Sequence, residues 1–406
     1  MPRLMDGVRV LRGRRITLGV TGSIAAYKAV ALASALHQSG AIVDVAMTAD
    51  AQRFVQPLSF QAITHRPVFA DLWAPGMETD IAHVTLGRES DLIVVAPATA
   101  NMLAKLAHGL ADDPVSVTIL AARCPVVVAP AMDAGMFTHP ATAANVAVLR
   151  ERGVVIVDPE EGHLASGLTG LGRLASPETI VDRVRGTLGA TGDLAGRRVL
   201  VTAGGTQEAI DPVRYITNHS SGKMGYAIAE AARDRGAQVV LLTTPTALRM
   251  PGGIQCQHVR TALEMLDVMT AHYEELDALI MSAAVADFRV ESEAAQKIKH
   301  GETALELRLV PNPDLLAATA ELNAGPVRVG FAAETQDLIE HATAKLARKS
   351  LDLIVANDVS GDVFGSDSNE VTLLWSDGRR EQLARMPKTE VAESVLDAVS
   401  VLLQRA

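Results

Sequence analysis

The sequence has little sulfur chemistry and few large rings. Its 406 residues include only two cysteines, Cys124 and Cys256. They lie far apart and form no CxxC pair, which argues against a disulfide framework or a cysteine zinc site and fits a reducing compartment. Aromatic residues make up 3% of the chain, too few for the stacking platforms that grip single-stranded nucleic acid. The 37 Lys and Arg are outnumbered by 47 Asp and Glu, a net charge of -10. That balance argues against nucleic acid or an anionic membrane as the main partner. No uncharged apolar run reaches the roughly 18 residues of a membrane helix. The basic start "MPRLMDGVRVLRGRR" leads into the short strand pattern "ITLGV" rather than a signal-peptide core, so the expectation is a cytoplasmic protein with no membrane partner. A GxGxxG fingerprint is also missing, which removes the generic nicotinamide dehydrogenase reading.

What is present is an ordinary globular composition, 48% apolar and 21% charged. At roughly 150 residues per domain the length suits two or three domains. Short β-rich runs alternate with helical patterns. The first half carries "RRITLGV", "AIVDVAM", "DLIVVAP", "CPVVVAP" and "GVVIVDP", with the amphipathic "SIAAYKAVALASALHQSG" between the first two. This βαβ rhythm predicts a parallel sheet covered on both faces, with ligands at the carboxyl ends of its strands. The glycine-rich "RGTLGATGDLAGRR" then reads as a linker. The rhythm restarts with "RRVLVTAGGT", a helix from about Lys223 to Gly236, "AQVVLLTTP", "DALIMSAAVAD", "PVRVGFAAET", "LDLIVANDV" and "EVTLLWSDG". The expected class is α/β with two doubly wound Rossmann-like domains. The first spans 1–188, flavodoxin-like by the family resemblance its motifs carry, and the second spans 197–406, with a linker at 189–196.

Several polar residues stand where buried strands empty into loops. "GVTGSIAAYK" is a strand–turn–helix junction in which Gly19 and Gly22 allow a tight turn and Ser23 adds a hydroxyl to helix amides, an anion site in outline. "APATANML" places Thr99 and Asn101 directly after a strand, and "PAMDAGMF" does the same with Asp133. "EGHLASGLTGLGR" carries four glycines and Ser166 and reads as a lid or a surface loop. "DDP" at 112–114 reads as a turn or helix cap. "VTAGGTQEAIDPVRYITNHSSGKMG" fails as a P-loop, because Met224 follows the lysine and Thr217 replaces the required glycine. It is nevertheless too long and too polar for a plain connection. Further on, "SAAVADF" ends a strand in Asp287, "KIKH" supplies Lys297 and Lys299, "PNPD" makes a turn, and "KLARK" puts Lys345 and Lys349 one helical turn apart. Like charges at that spacing repel, so a nucleotide phosphate is a natural partner.

With these strings the chain resembles the bifunctional phosphopantothenoylcysteine decarboxylase and phosphopantothenate–cysteine ligase family of coenzyme A synthesis over nearly its whole length. The first half is similar to flavin-dependent cysteine decarboxylases through "GVTGSIAAYK", "AMT", "PLS", His83, "APATANML" and "PAMDAGMF". The second half is similar to the ligase through "AGGTQEAIDPVRYITNHSSGKMG", "AAVADF", "KIK", "NPD", "GFAAET" and "LDLIVANDVS". A flavin prenyltransferase shares the first half's pattern but leaves 197–406 unexplained.

For the second half, the resemblance implies CTP as co-substrate and Mg2+ as cation. The carboxylate of 4'-phosphopantothenate attacks the α-phosphate, pyrophosphate leaves, and cysteine displaces CMP from the acyl-cytidylate. By motif position, Asn218 and Arg214 act on that intermediate and Lys297 supports its formation. Met281, Ser282, Ala283, Asp287, Lys297, Pro313, Asp314, Leu315, Leu316, Phe331, Lys345 and Lys349 surround CTP. Fixed cations and amides suit phosphate chemistry.

For the first half, the resemblance implies FMN contacted by Gly22, Ser23, Thr48, Ser59, Ala96, Pro97, Ala98, Thr99 and Asn101. The flavin oxidises the cysteinyl thiol to a thioaldehyde, which accepts the electrons left by CO2, and the enethiol is then reduced and protonated. His83 is the family's essential histidine, a base near the substrate. Asp133 stands where the family places an asparagine that clamps the substrate carboxylate, and Ser166 stands where it places a proton-donating cysteine. A serine hydroxyl is a far weaker acid than a thiol. A protonated Asp133 could hold the substrate carboxylate and supply the missing proton. Without that compensation the first half is an FMN-holding scaffold and the ligase the only enzyme. The resemblance also implies a homo-oligomer of decarboxylase trimers and ligase dimers.

Overall fold

A computed structural model describes residues 8–73, 82–165, 167–300, 304–322, 325–334, 337–358 and 365–405. The chain divides into two compact units, Met1–Gly189 and Ala190–Ala406.

The first unit has six parallel strands, β1 (Arg15–Val20), β2 (Ile42–Met47), β3 (Val68–Phe69), β4 (Leu92–Ala98), β5 (Val126–Pro130) and β6 (Val155–Ile156). They lie in the order β3-β2-β1-β4-β5-β6. β4 is buried at every position, as its unbroken apolar run predicts. Separate clusters, one around Leu18, Leu36 and Val94 and the other around Val95, Leu103 and Val128, cover the two faces. The order turns back between β1 and β4, so a crevice opens at their carboxyl ends, where such sheets bind ligands. The glycine-rich stretch expected as a lid or loop forms a hairpin, β7 (Glu160–His163) with β8 (Thr169–Arg173).

In the second unit the main sheet contains β9 (Arg198–Ala203), β12 (Gln238–Thr243), β13 (Gln255–His258), β14 (Ala278–Met281), β17 (Val327–Glu334), β18 (Leu353–Asp358), β19 (Ser368–Trp375) and β20 (Arg380–Pro387). Two small hairpins stand outside it, β10 (Gln207–Ala209) with β11 (Tyr215–Thr217), and β15 (Phe288–Val290) with β16 (Leu309–Pro311). The main order is β13-β12-β9-β14-β17-β18-β19-β20, parallel through β18 and antiparallel at its last two strands. The reversal falls between β9 and β14. The helices Lys223–Asp234 and Lys388–Leu403 cover one face with a core around Ile228, Val355 and Val395. The other face packs Met265, Leu316 and Leu346.

Two expectations need correction. The linker stretch is not a free connection: its start is the end of the helix Pro177–Gly189. Its remainder docks on the second unit, where Leu194 is fully buried, its N–H donates to the Arg235 carbonyl at 3.0 Å, and Asp193 is ion-paired with the Arg235 guanidinium. The antiparallel edge was also not expected from a rhythm that promised parallel strands.

One buried carboxylate ties down the loops around the second crevice. Asp211 is 2% exposed. Its Oδ1 accepts from the N–H groups of Val213 and Arg214 at 2.8 and 2.9 Å, and its Oδ2 from the Arg214 guanidinium and from the Ile298 N–H at 3.1 Å. The same guanidinium donates to the Ile298 carbonyl at 2.6 Å. Burial alone would raise the carboxyl's pKa, but Arg214 and the three backbone donors outweigh it and hold Asp211 well below the usual carboxylate range. A depressed folded value means a stabilisation fully present above the unfolded pKa of about 4 and lost as pH falls through the folded one. The advantage of wild type over Asp211→Asn in the urea midpoint of the second unit is therefore expected to stay constant from about pH 7 to 5 and shrink below about pH 4. A pH-independent difference would show that the carboxylate's charge is not what matters.

Candidate active sites

In the first unit the loops after β1, β2 and β4 converge at the crevice. The Thr21 hydroxyl donates to the Pro97 carbonyl at 2.7 Å and accepts from the Thr99 N–H at 3.2 Å, tying the β1 turn to the end of β4. The Thr99 hydroxyl caps the helix Ala100–His108 by accepting from the Met102 N–H at 3.2 Å, and the Thr48 hydroxyl accepts from Ala51 in the same way. A Cβ at Gly22 would lie 2.4 Å from the Asp50 Cβ, so only glycine lets the β1 and β2 turns approach this closely. Ala96, Pro97 and Ala98 are buried, Ser23, Thr48, Ser59 and Thr99 half-buried, and Asn101 exposed. Small side chains and helix-start amides around an open crevice fit a flat cofactor with a phosphate tail. The nine residues expected to contact FMN thus all lie at the carboxyl ends of β1, β2 and β4 or on the helices Pro57–Thr64 and Ala100–His108 that follow β2 and β4.

His83 is half-buried on the helix Ala82–Glu89 and makes no hydrogen bond among the described residues. Asp133 lies between β5 and the short helix Ala134–Phe137, whose Gly135 N–H its Oδ1 accepts at 3.0 Å. Asp133, directly after a buried strand, is thus in part a helix cap. The hairpin packs on this same segment. The Met132 N–H donates to the Gly172 carbonyl at 3.0 Å, and a Cβ on Gly172 would lie 2.1 Å from the Met132 carbonyl oxygen. Ser166, between the two hairpin strands in sequence, lies outside the described residues.

In the second unit a cavity of about 600 Å³ opens at the carboxyl ends of β14, β17 and β18. It gathers Asn218, Met281, Ser282, Ala283, Asp287, Pro313, Asp314, Leu315, Leu316, Phe331, Lys345 and Lys349, residues scattered over 130 positions of sequence. The Asn218 side chain donates to the Val285 carbonyl at 3.0 Å. The lysine pair does not depend on a ligand for its partner. Lys349 is ion-paired with Asp314 at 2.5 Å, and Lys345 donates to the Phe331 carbonyl at 2.8 Å. Burial would raise the Asp314 carboxyl, but the Lys349 hydrogen bond and the Ala317 N–H bring it below its ordinary value.

Two expected residues do not line the cavity. Lys297 is exposed, beside the Ile298 backbone that Asp211 and Arg214 grip, and Arg214 is held in that ion pair. Other lining residues carried no expectation as site residues: Lys388, and Asn357 and Asn369 on β18 and β19. Asn357 was visible in "LIVAND" as a polar residue closing an apolar strand. Lys388 could not be found by motif, because it reaches the cavity from the far end of the chain. Among the described residues no three His, Cys, Asp or Glu side chains cluster as a metal site.

Comparison with known proteins extends over both units. The flavoprotein family model matches residues 8–189, and the DNA/pantothenate metabolism flavoprotein C-terminal domain matches residues 194–402. The coenzyme A biosynthesis bifunctional protein CoaBC of Bacillus subtilis (strain 168) is 44% identical over 398 residues, covering 97% of this chain and 98% of that protein. Its counterpart in Escherichia coli (strain K12) is also 44% identical, over 394 residues, 94% of this chain and 97% of that protein. The crystal structure of a CoaBC C-terminal domain is similar at 39% identity and a TM-score of 0.47, covering 53% of this chain and all of that one. With both units matched in order and nearly end to end, the chain belongs to the family of coenzyme A biosynthesis bifunctional proteins.

Proposed function

We propose that this chain carries out two consecutive steps of coenzyme A synthesis in the cytoplasm, and assign its residues to them. The second unit joins 4'-phosphopantothenate to cysteine at the expense of CTP, and the first decarboxylates the phosphopantothenoylcysteine so formed to 4'-phosphopantetheine. The observation that supports the reading is the pair of crevices, each at the switch point of a doubly wound sheet, the second of them lined by twelve of the residues its half of the sequence nominates.

In the ligase unit the carboxylate of phosphopantothenate attacks the α-phosphorus of CTP, the bond to the bridging oxygen breaks, and pyrophosphate leaves. Lys345 and Lys349 stand on the nucleotide side and stabilise charge on the phosphates. Their existing partners, a backbone carbonyl and Asp314, hold them in place beforehand. Backbone edges at Met281–Ala283 and around Phe331 read the base. Asn218 and Arg214 act on the acyl-cytidylate, and Lys297 supports its formation by moving in from its exposed position. Mg2+ comes with the triphosphate, consistent with an ion that usually keeps its waters and few protein ligands.

In the decarboxylase unit FMN fits the crevice formed by Gly22, Ser23, Thr48, Ser59, Ala96–Thr99 and Asn101. When bound it supplies a reversible two-electron acceptor for the thiol-bearing carbon. His83 takes the thiol proton. Asp133, protonated, donates a hydrogen bond to the substrate carboxylate; CO2 leaves, its bond pair stays on the substrate as an enethiol, and Asp133 gives its proton to that enethiol as the two electrons first withdrawn are returned to it. The hairpin covers the site and excludes water from these transfers. The whole assembles as a homo-oligomer, with trimers of the first unit and dimers of the second.

A coupled assay supplied with CTP, cysteine and phosphopantothenate is expected to release CMP first and CO2 after a lag. CMP without CO2 would leave the ligase as the only activity. Replacing Asp133 by Asn is expected to lower CO2 release about a hundredfold, within the range of a lost general acid, while CMP release is unchanged. Ser166→Ala is expected to change CO2 release far less. An Asp133→Asn enzyme as active as wild type would remove the proton-donor role. The solution mass of the purified protein is expected at a multiple of both two and three chains, and a monomeric mass would refute that assembly.

A further inference from the structure

The ligase cavity has a polar end that the nucleotide residues do not use. Lys345, Lys349 and Leu316 belong to helices packed on one face of the sheet. The helices Lys223–Asp234 and Lys388–Leu403 cover the other face, and their first residues, Lys223 and Lys388, also line the cavity. Both ammonium groups reach one short segment before β19. Lys223 donates to the Gly365 carbonyl and pairs with Asp367, each at 2.7 Å, and Lys388 donates to the Ser366 carbonyl at 2.6 Å. The Lys388 N–H donates to the Asp367 carbonyl at 2.9 Å. Lys223 is therefore already neutralised, while Lys388 is paired with a carbonyl only and brings unspent positive charge.

Beside this charge stand two carboxamides. Asn357 closes β18 and Asn369 opens β19, on strands that pair antiparallel with Asn357 opposite Val371. Asn369 pairs with Met386, two residues before Lys388. Both side chains line the cavity, Asn369 is 6% exposed, and the Oδ1 of each is buried without a hydrogen-bond partner. A buried acceptor left unmade is costly. Neither carboxamide is fixed by a hydrogen bond among the described residues, so each can turn about Cβ–Cγ toward a ligand.

We propose that Asn357, Asn369 and Lys388 form the subsite for the amino-acid substrate, the two carboxamide oxygens accepting from its α-amino group and the Lys388 ammonium holding its α-carboxylate. The inference rests on the ligase reading above. Among the three substrates, a small amino acid has an amine beside a carboxylate, the complement of two acceptors beside one cation. A triphosphate would call for several unspent cations and would be repelled by orphan acceptors. Burial, then the neighbouring Lys223, push the Lys388 pKa down, with Asp367 opposing, and an incoming carboxylate would relieve that cost. Held there as the free amine, cysteine attacks the acyl carbon. The C–N bond forms, the bond from that carbon to the CMP oxygen breaks, CMP leaves with the electron pair, and the amine proton passes to solvent.

The test uses the full-length protein and separates the half-reactions. Asn369→Leu and Lys388→Met are each expected to raise the KM for cysteine about tenfold, the loss of one hydrogen bond to a charged group. The single-turnover release of pyrophosphate from CTP and phosphopantothenate without cysteine is expected to match wild type, as is trapping of the acyl-cytidylate by hydroxylamine. Lys388→Met should also lose the preference for cysteine over cysteamine, which lacks the carboxylate. An unchanged KM for cysteine, or a raised KM for CTP or phosphopantothenate in its place, would overturn the subsite. A variant that loses pyrophosphate release is replaced by wild type offered cysteamine and 3-mercaptopropionate. If neither the missing carboxylate nor the missing amine weakens binding relative to cysteine, the subsite is again overturned. A wild-type protein that releases no CMP with all three substrates would sink the ligase reading itself.

Discussion

A parallel sheet buried on both faces leaves polar chemistry one place to stand. Its strands must be apolar along their length, and the helices that connect them occupy both sides. Polar side chains then collect where strands end and loops begin. In both units the strand order reverses beside the first strand, between β1 and β4 and again between β9 and β14, so adjacent connections depart to opposite faces and leave a crevice. The residues that hold or transform a ligand come from many positions of the chain because this geometry, rather than proximity in sequence, brings them together.

The details of each crevice follow from how that opening is kept in shape. In the first unit one hydroxyl, that of Thr21, bonds both the Pro97 carbonyl and the Thr99 N–H. In the second, Asp211 gathers backbone donors from its own loop and from Ile298. Each is a short polar side chain replacing backbone partners that loops lack. The ion pairs around the ligase cavity act similarly. Lys349 with Asp314 and Lys223 with Asp367 fix charged groups before any ligand arrives, which favours electrostatic stabilisation that needs little reorganisation.

The architecture was legible where burial dictates composition. Apolar runs located every long parallel strand, and the change from strand to helix periodicity located the crevices. Motif resemblance named twelve residues, far apart in sequence, that the fold brings around one cavity. What was not legible depended on tertiary contacts. Lys345 and Lys349 read as a repelling pair because helical spacing alone does not place Asp314, more than thirty residues earlier, beside Lys349. The stretch around Leu194 read as a linker because its glycines resemble one, while a buried leucine and the bonds of Asp193 and Leu194 to Arg235 dock it. The Gly-rich segment after β6 read as a loop because glycine has low strand propensity, yet Gly170 and Gly172 there serve close approach to the turn at Met132–Ala134. The antiparallel edge of β19 and β20 depends on pairing partners, which periodicity does not specify.

The contact between Gly172 and the Met132 carbonyl has a mechanical consequence. The hairpin strand and the acid-bearing turn touch backbone to backbone, with no side chain between them to absorb a displacement. A shift of one requires a matching shift of the other or the loss of the Met132–Gly172 hydrogen bond. The hairpin strand and the turn that carries Asp133 are therefore positioned by one shared backbone contact.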